Sequence, residues 1–113
     1  MKKKFKLSAS EIHPLAPSRG GCIATDMITV HGNKVGFMYK VEPTRPEDSG
    51  WCFLAGDESQ EFLDDPGNLA IYDVNTIANY DPEIIPLLDA PVGSAFERLD
   101  GRFVPSIPPD EAD

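Results

Sequence analysis

The densest group of chemically capable side chains in this 113-residue chain is Asp57, Glu58, Glu61, Asp64 and Asp65, five carboxylates within nine positions. Clustered carboxylates either coordinate a hard divalent cation or present a negative field to a basic surface. A calcium loop needs ligands at alternate positions, glycine at the sixth and glutamate at the twelfth. Counted from Asp57 those positions hold Phe62 and Asn68, so the spacing excludes an EF-hand. A second group, Tyr72, Asp73, Asn75, Tyr80 and Asp81, with Asn79 among them, crowds polar atoms around two apolar turns. Side chains of this kind cap helices and close Asx turns, or else line a pocket for a small metabolite. Cys22, Cys52, His13 and His31 have zinc-ligand chemistry and could also supply a Cys–His nucleophilic pair. No two of them stand at Cys-x-x-Cys spacing, so the sequence points to free thiols and surface histidines. Gly20-Gly21 is too short for a phosphate-binding loop, and no Gly-Lys-Ser follows it. The expectation is a protein without catalytic residues, metal or cofactor.

Charge is distributed more tellingly than any motif. Residues 1–45 carry eight basic and three acidic side chains. Residues 46–97 carry twelve acids and no base, and from Arg98 onward there are two bases and four acids, for a net charge of −9. A chain polarised in this way repels nucleic acid and anionic membrane and attracts basic partners. The lysines at 2–6 therefore read as a solubilising stretch and not as a nucleic-acid site.

These residues must be positioned by short elements. Eleven prolines and nine glycines predict many tight turns. Forty-one per cent apolar residues, with Trp51, six Phe and three Tyr, suffice for one core. No stretch approaches the roughly 18 apolar residues of a membrane span. The lysine-rich start resembles the charged region of a secretion signal, but Ser8, Ser10, Glu11, His13 and Pro14 interrupt the apolar run that would have to follow. A cytoplasmic location is expected, which suits free thiols at Cys22 and Cys52, a single disulfide being the alternative.

Residues 1–19 read as a basic polar arm, 20–104 as one domain and 105–113 as an acidic, proline-rich tail. Within the domain, residues 22–24 and the pair Ile28 and Val30 suggest short strands. The alternation from Val35 to Val41 predicts a strand with Val35, Phe37, Tyr39 and Val41 on the core face and Gly36, Met38 and Lys40 on the other. Trp51–Leu54 reads as its antiparallel neighbour, with Trp51 in the core. Asp57 is expected to cap a short helix that Pro66-Gly67 stops, with Gln60 in the capping-box position. Leu69–Tyr72 reads as a strand, and Asp73 caps a helix that turns Val74, Ile77 and Ala78 inward. Asp81 with Pro82 opens another helical turn, which Pro86 limits. Asp100-Gly101 is the strongest hairpin signal in the chain. The fold class expected is α+β, an antiparallel sheet of about five strands with short helices on one side.

A family resemblance adds to this reading. Gly20-Gly21-Cys22, Val35-Gly36-Phe37-Met38-Tyr39, Asp48-Ser49-Gly50-Trp51 and Gly56-Asp57-Glu58 follow one another in the order of a known bacterial family. The runs from Asn68 to Thr76, from Tyr80 to Leu88 and from Gly93 to Arg98 continue the match. Together, from about Gly20 to Val104, they resemble the immunity-protein-thirty-three-like family. The resemblance implies a small α+β protein that binds and neutralises a toxin of a polymorphic toxin system. It implies no catalytic residue, and Gly20-Gly21 and Trp51 are marks of the family without an assigned role.

Two functional expectations follow. One is a non-enzymatic immunity-type protein that occludes a basic partner, a cognate toxin, through Asp57, Glu58, Glu61, Asp64 and Asp65. The other is a small housekeeping domain using a polar pocket at Tyr72, Asp73, Asn75, Tyr80 and Asp81. An adaptor or oligomerisation module would instead be marked by an apolar surface patch.

Overall fold

The computed structural model describes residues 3–109. The fold is α+β, with a mixed six-stranded sheet in the order β4-β1-β3-β2-β5-β6. The strands are β1 Gly21–Thr25, β2 Phe37–Lys40, β3 Asp48–Leu54, β4 Leu69–Asp73, β5 Ala95–Leu99 and β6 Arg102–Pro105. Three short α-helices, α1 Asp26–Thr29, α2 Gln60–Asp64 and α3 Val74–Tyr80, are joined by a 3-10 helix over Pro82–Leu87.

The sheet differs from the expected antiparallel one in a single pairing. β1 runs parallel to β3, while β4 closes antiparallel on the far side of β1. β1 thus lies between two strands that come later in the chain. The connection from β3 to β4, residues 55–68, must therefore cross the end of β1, and that from β1 to β2 must cross the end of β3. Gly36 lies where these crossings meet: a β-carbon there would sit 1.9 Å from the Ala55 carbonyl oxygen, so only glycine fits.

The hairpin between β5 and β6 forms as expected, with Asp100 and Gly101 at φ of 52° and 84°. The β2–β3 pair is also antiparallel, as expected. The facing of β2, however, is the reverse of the sequence reading. Met38 is fully buried and pairs with Phe53, whereas Phe37 and Tyr39 point to the opposite face and Val41 is exposed. Val35 is buried, but it lies ahead of the strand. The alternation was real; the loop that carries Val35 inward shifts the phase by which the strand meets the core.

Two helical features also differ. Ile28 belongs to the single turn α1, not to a strand, and is buried there. In α2 the cap is Ser59, whose hydroxyl accepts the Phe62 amide at 3.0 Å, rather than Asp57. Asp73 caps α3 as expected, and Val74, Ile77 and Ala78 are buried beneath it.

The core lies on one face of the sheet. Cys22, Ala24, Met38, Trp51 and Phe53 from the strands meet Ile28 of α1, Val74 and Ile77 of α3, and Ile84. Trp51 stacks on Phe53 at 5.9 Å and donates its indole N–H to the Leu88 carbonyl at 3.2 Å. Ala16, from the polar N-terminal stretch, also reaches this core. The sequence 110–113 of the acidic tail lies outside the described residues.

Candidate protein-interaction surface

The acidic connection between β3 and β4 is held in shape by its own carboxylates. Glu58 Oε2 accepts the Thr25 hydroxyl at 2.6 Å and the Ala55 amide at 2.7 Å, while Oε1 accepts the Gly56 amide at 2.9 Å. Glu58 therefore anchors the crossing over β1. Asp65 accepts the Gly67 amide at 2.9 Å and so starts the next turn, and Asp64 accepts from the Gln60 side chain. Asp57, Glu61, Asp64 and Asp65 are solvent-exposed. The five residues thus share one segment, four of them on its outside.

The polar side chains around α3 are engaged with one another and with the N-terminal stretch. Tyr72 hydrogen-bonds Thr29 through its hydroxyl at 3.0 Å and meets Phe5 edge-on at 5.9 Å. Asp73 accepts the Asn75 amide at 2.8 Å. Asn75 Oδ1 accepts the amides of Leu15 and Ala16, and its amide group donates to the His13 carbonyl. Asn79 clasps His13 from both sides, accepting its amide and donating to its carbonyl. The Tyr80 hydroxyl accepts the Leu7 amide at 3.1 Å and donates to the Thr29 carbonyl at 2.9 Å. These residues fasten residues 5–16 as a strap across α3 and β4, and each polar atom named has a partner within the fold.

Asp81 is fully buried, yet its carboxylate is well served. It accepts the Val35 amide at 3.0 Å and the Glu83 amide at 3.1 Å and is ion-paired with Arg98. Arg98 also pairs with Glu83, donates to the Val35 carbonyl at 2.9 Å and lies over the Phe103 ring. Arg98 was not singled out by the sequence reading. Its signal was there: it is the first base after a long acidic stretch, the natural partner for a buried acid.

Arg98 holds the Glu83 carboxyl below its usual range, first by hydrogen bonding and then by charge. Amides of Gly50 and Thr44 do the same for Asp48. Burial pushes both thiols up, and the two cysteines are free and buried. A buried neutral thiol is a poor nucleophile and a poor metal ligand. Among the described residues, no cluster of three or more His, Cys, Asp or Glu side chains is placed to hold a metal ion.

The opposite face of the sheet is different in character. The strand registers place Ile71, Ile23, Cys52, Tyr39 and Ala95 side by side in one row across β4, β1, β3, β2 and β5. Because side chains alternate along a strand, this row lies opposite the core residues Cys22, Ala24, Met38 and Phe53. At its β4 end the row opens into a groove of about 340 Å³, lined by Ile23, Val41 and Ile71 and edged by Glu42, Glu47 and Asp48. The sequence reading missed this row because it put Tyr39 and Val41 in the core.

A family model for the immunity protein Imm33 domain matches residues 22–105. The chain belongs to this family. No curated protein and no solved structure matches it. The Imm33 match takes in all six strands except Gly21 at the start of β1. The strap before β1 lies outside it, although Ala16 of the strap is part of the core. No helix among the described residues is long and apolar enough to cross a membrane.

Proposed function

We propose that this Imm33 protein binds and neutralises a toxin of a polymorphic toxin system by occluding its active surface, without catalysis, in the cytoplasm. The observation that carries the reading is the family match over residues 22–105. The charge pattern supports a basic partner, since no lysine or arginine occurs between Arg45 and Arg98. Asp57, Glu61, Asp64 and Asp65 act as electrostatic guides on the exposed side of the β3–β4 connection. Glu58, with its carboxylate engaged by the fold, adds charge to the same field and holds the connection in place. Charges so arranged speed the encounter and orient it, and salt screens them.

The test is a pull-down from the native host with tagged protein at low and high salt, read by mass spectrometry. A basic toxin-like protein that salt releases, and against which the chain protects growing cells, is the expected result. A bound small molecule with no protein partner overturns the reading. Neutralising the four exposed acids together should then slow association with the recovered toxin by about ten-fold or more at low salt. An unchanged association rate would remove these residues from the contact.

A further inference from the structure

α1, α3 and the 3-10 helix Pro82–Leu87 pack on one face of the sheet; on the other, Glu58 of the β3–β4 connection reaches over the fully buried Thr25, and the β4 end is left open. A row of Ile71, Ile23, Cys52 and Tyr39 runs across that second face, over roughly 14 Å at ordinary strand spacing. Its inner members are covered: Cys52 is buried and hydrogen-bonded with Tyr39, which also meets the Phe37 ring at 5.8 Å. Its outer members do not. Ile71 is 79% exposed, Ile23 42% and Val41, across the groove, 48%. Ile71 sits in the middle of β4, an edge strand of the sheet, where an unprotected aliphatic side chain invites association.

The charges around this face decide what kind of surface it suits. Glu42, Glu47 and Asp48 edge the groove, and the only base among its lining residues, Arg45, is 3.8 Å from Glu47. Two residues further along β1 from Ile23, the Thr25 side chain carries Glu58. Apolar contact in the centre with acids at both ends is the pattern of an interface core and its polar rim. A second copy of this chain, at a net charge of −9, would bring more negative charge to an acidic rim. The chain's own acidic tail has the wrong sign for the same reason.

We propose that the exposed β4 end of this sheet face is the docking surface for a basic protein partner. Ile71 and Ile23 are its apolar anchors, and the groove takes an aliphatic side chain flanked by lysine or arginine. The assignment rests on the immunity reading for the partner's identity and deepens it. The acidic connection steers, whereas the sheet face holds.

The probe is a short synthetic peptide alternating lysine and isoleucine, titrated into the isotope-labelled chain and followed by amide NMR shifts. A peptide with glutamate in place of lysine, and the unlabelled chain itself, are titrated in parallel. Shifts confined to residues 21–25, 41–48 and 69–73, weakened by about ten-fold or more in Ile71→Ser, are the expected result. Because Ile71 is exposed, Ile71→Ser should melt with the parent protein, which separates lost contact from lost fold. Shifts centred elsewhere, an equal response to the glutamate peptide, an unaffected Ile71→Ser, or saturation by the chain itself each overturn the proposal. The immunity reading is read separately, by growth protection against the recovered toxin. Protection without any peptide response at this face sinks the docking assignment alone, and a mapped face without protection sinks only the immunity reading.

Discussion

Asp81, at the end of α3, and Arg98, in β5, form an ion pair that ties the helical layer to the far side of the sheet. The same carboxylate accepts the Val35 amide, and the same guanidinium donates to the Val35 carbonyl. One residue of the β1–β2 connection is thereby gripped at both its backbone groups.

Breaking this grip should be costly. Asp81→Ala leaves Arg98 and the Val35 amide without their buried partner, and truncating one member of such a pair costs about 3–5 kcal/mol. Asp81→Asn keeps the shape and one acceptor oxygen and should lose less. Urea unfolding of both variants checks the order. Equal stability of Asp81→Ala and the parent protein would show that the pair contributes nothing.

Gly36→Ala is expected to destabilise by a comparable amount, because a methyl group there meets the Ala55 carbonyl and two crossing connections would have to part. Gly93→Ala is the control. That glycine has a positive φ of 94° but open space around it, so only backbone strain of about 1 kcal/mol is expected. Thermal melts of the two variants separate crowding from strain.

The strap gives a local prediction. Asn75→Ala removes the acceptor for two amides and the donor to the His13 carbonyl, at a cost of about 1–3 kcal/mol. Hydrogen exchange at Leu15 and Ala16 should accelerate well before the sheet amides respond. Uniform acceleration across the domain would mean that strap and sheet open as one unit.

Stability should fall at both ends of the pH range. Glu83 and Asp48 have carboxyls depressed in the fold, and Glu11 is lowered by the Ser8 amide and then its hydroxyl. Their contribution is present above the ordinary values of 3.8 to 4.5 and is lost as pH falls through the lower folded values. Burial raises Cys22, Cys52 and Tyr80, so the folded chain keeps protons that the unfolded chain releases. Their contribution is complete below the ordinary 9.0 and 10.0 and is lost as pH rises past them. Denaturant midpoints measured across pH should therefore show a plateau near neutrality. A midpoint that kept rising above pH 9 would contradict the burial of the thiols and of Tyr80.

What was legible in the sequence was whatever a few neighbouring residues decide. Asp100-Gly101 makes its turn because both positions take positive φ, and Asp73 and Asp81 cap because their carboxylates reach amides two residues on. The α+β class and the core position of Trp51 followed from alternation and aromatic content. What was not legible depends on distant chain. Met38 and not Tyr39 faces the core, three residues after a buried Val35 that Asp81 and Arg98 hold from distant parts of the chain. The parallel pairing of β1 with β3 has no local signature at all. Of the two candidate groups, the acids on the β3–β4 connection stay together on one segment. The tyrosines, aspartates and asparagines around α3 are spent on capping and on the strap, uses that residue type alone does not distinguish from a pocket.

The strap also orders events in time. Its amides at Leu7, His13, Leu15 and Ala16 bond to residues 59 to 73 positions further on. At bacterial or eukaryotic synthesis speeds of about 5–20 residues per second, those partners are made roughly 3–15 s after the strap itself. The strap is thus made well before the residues that seat it, and until Tyr80 is synthesised the Leu7 amide lacks the hydroxyl that receives it.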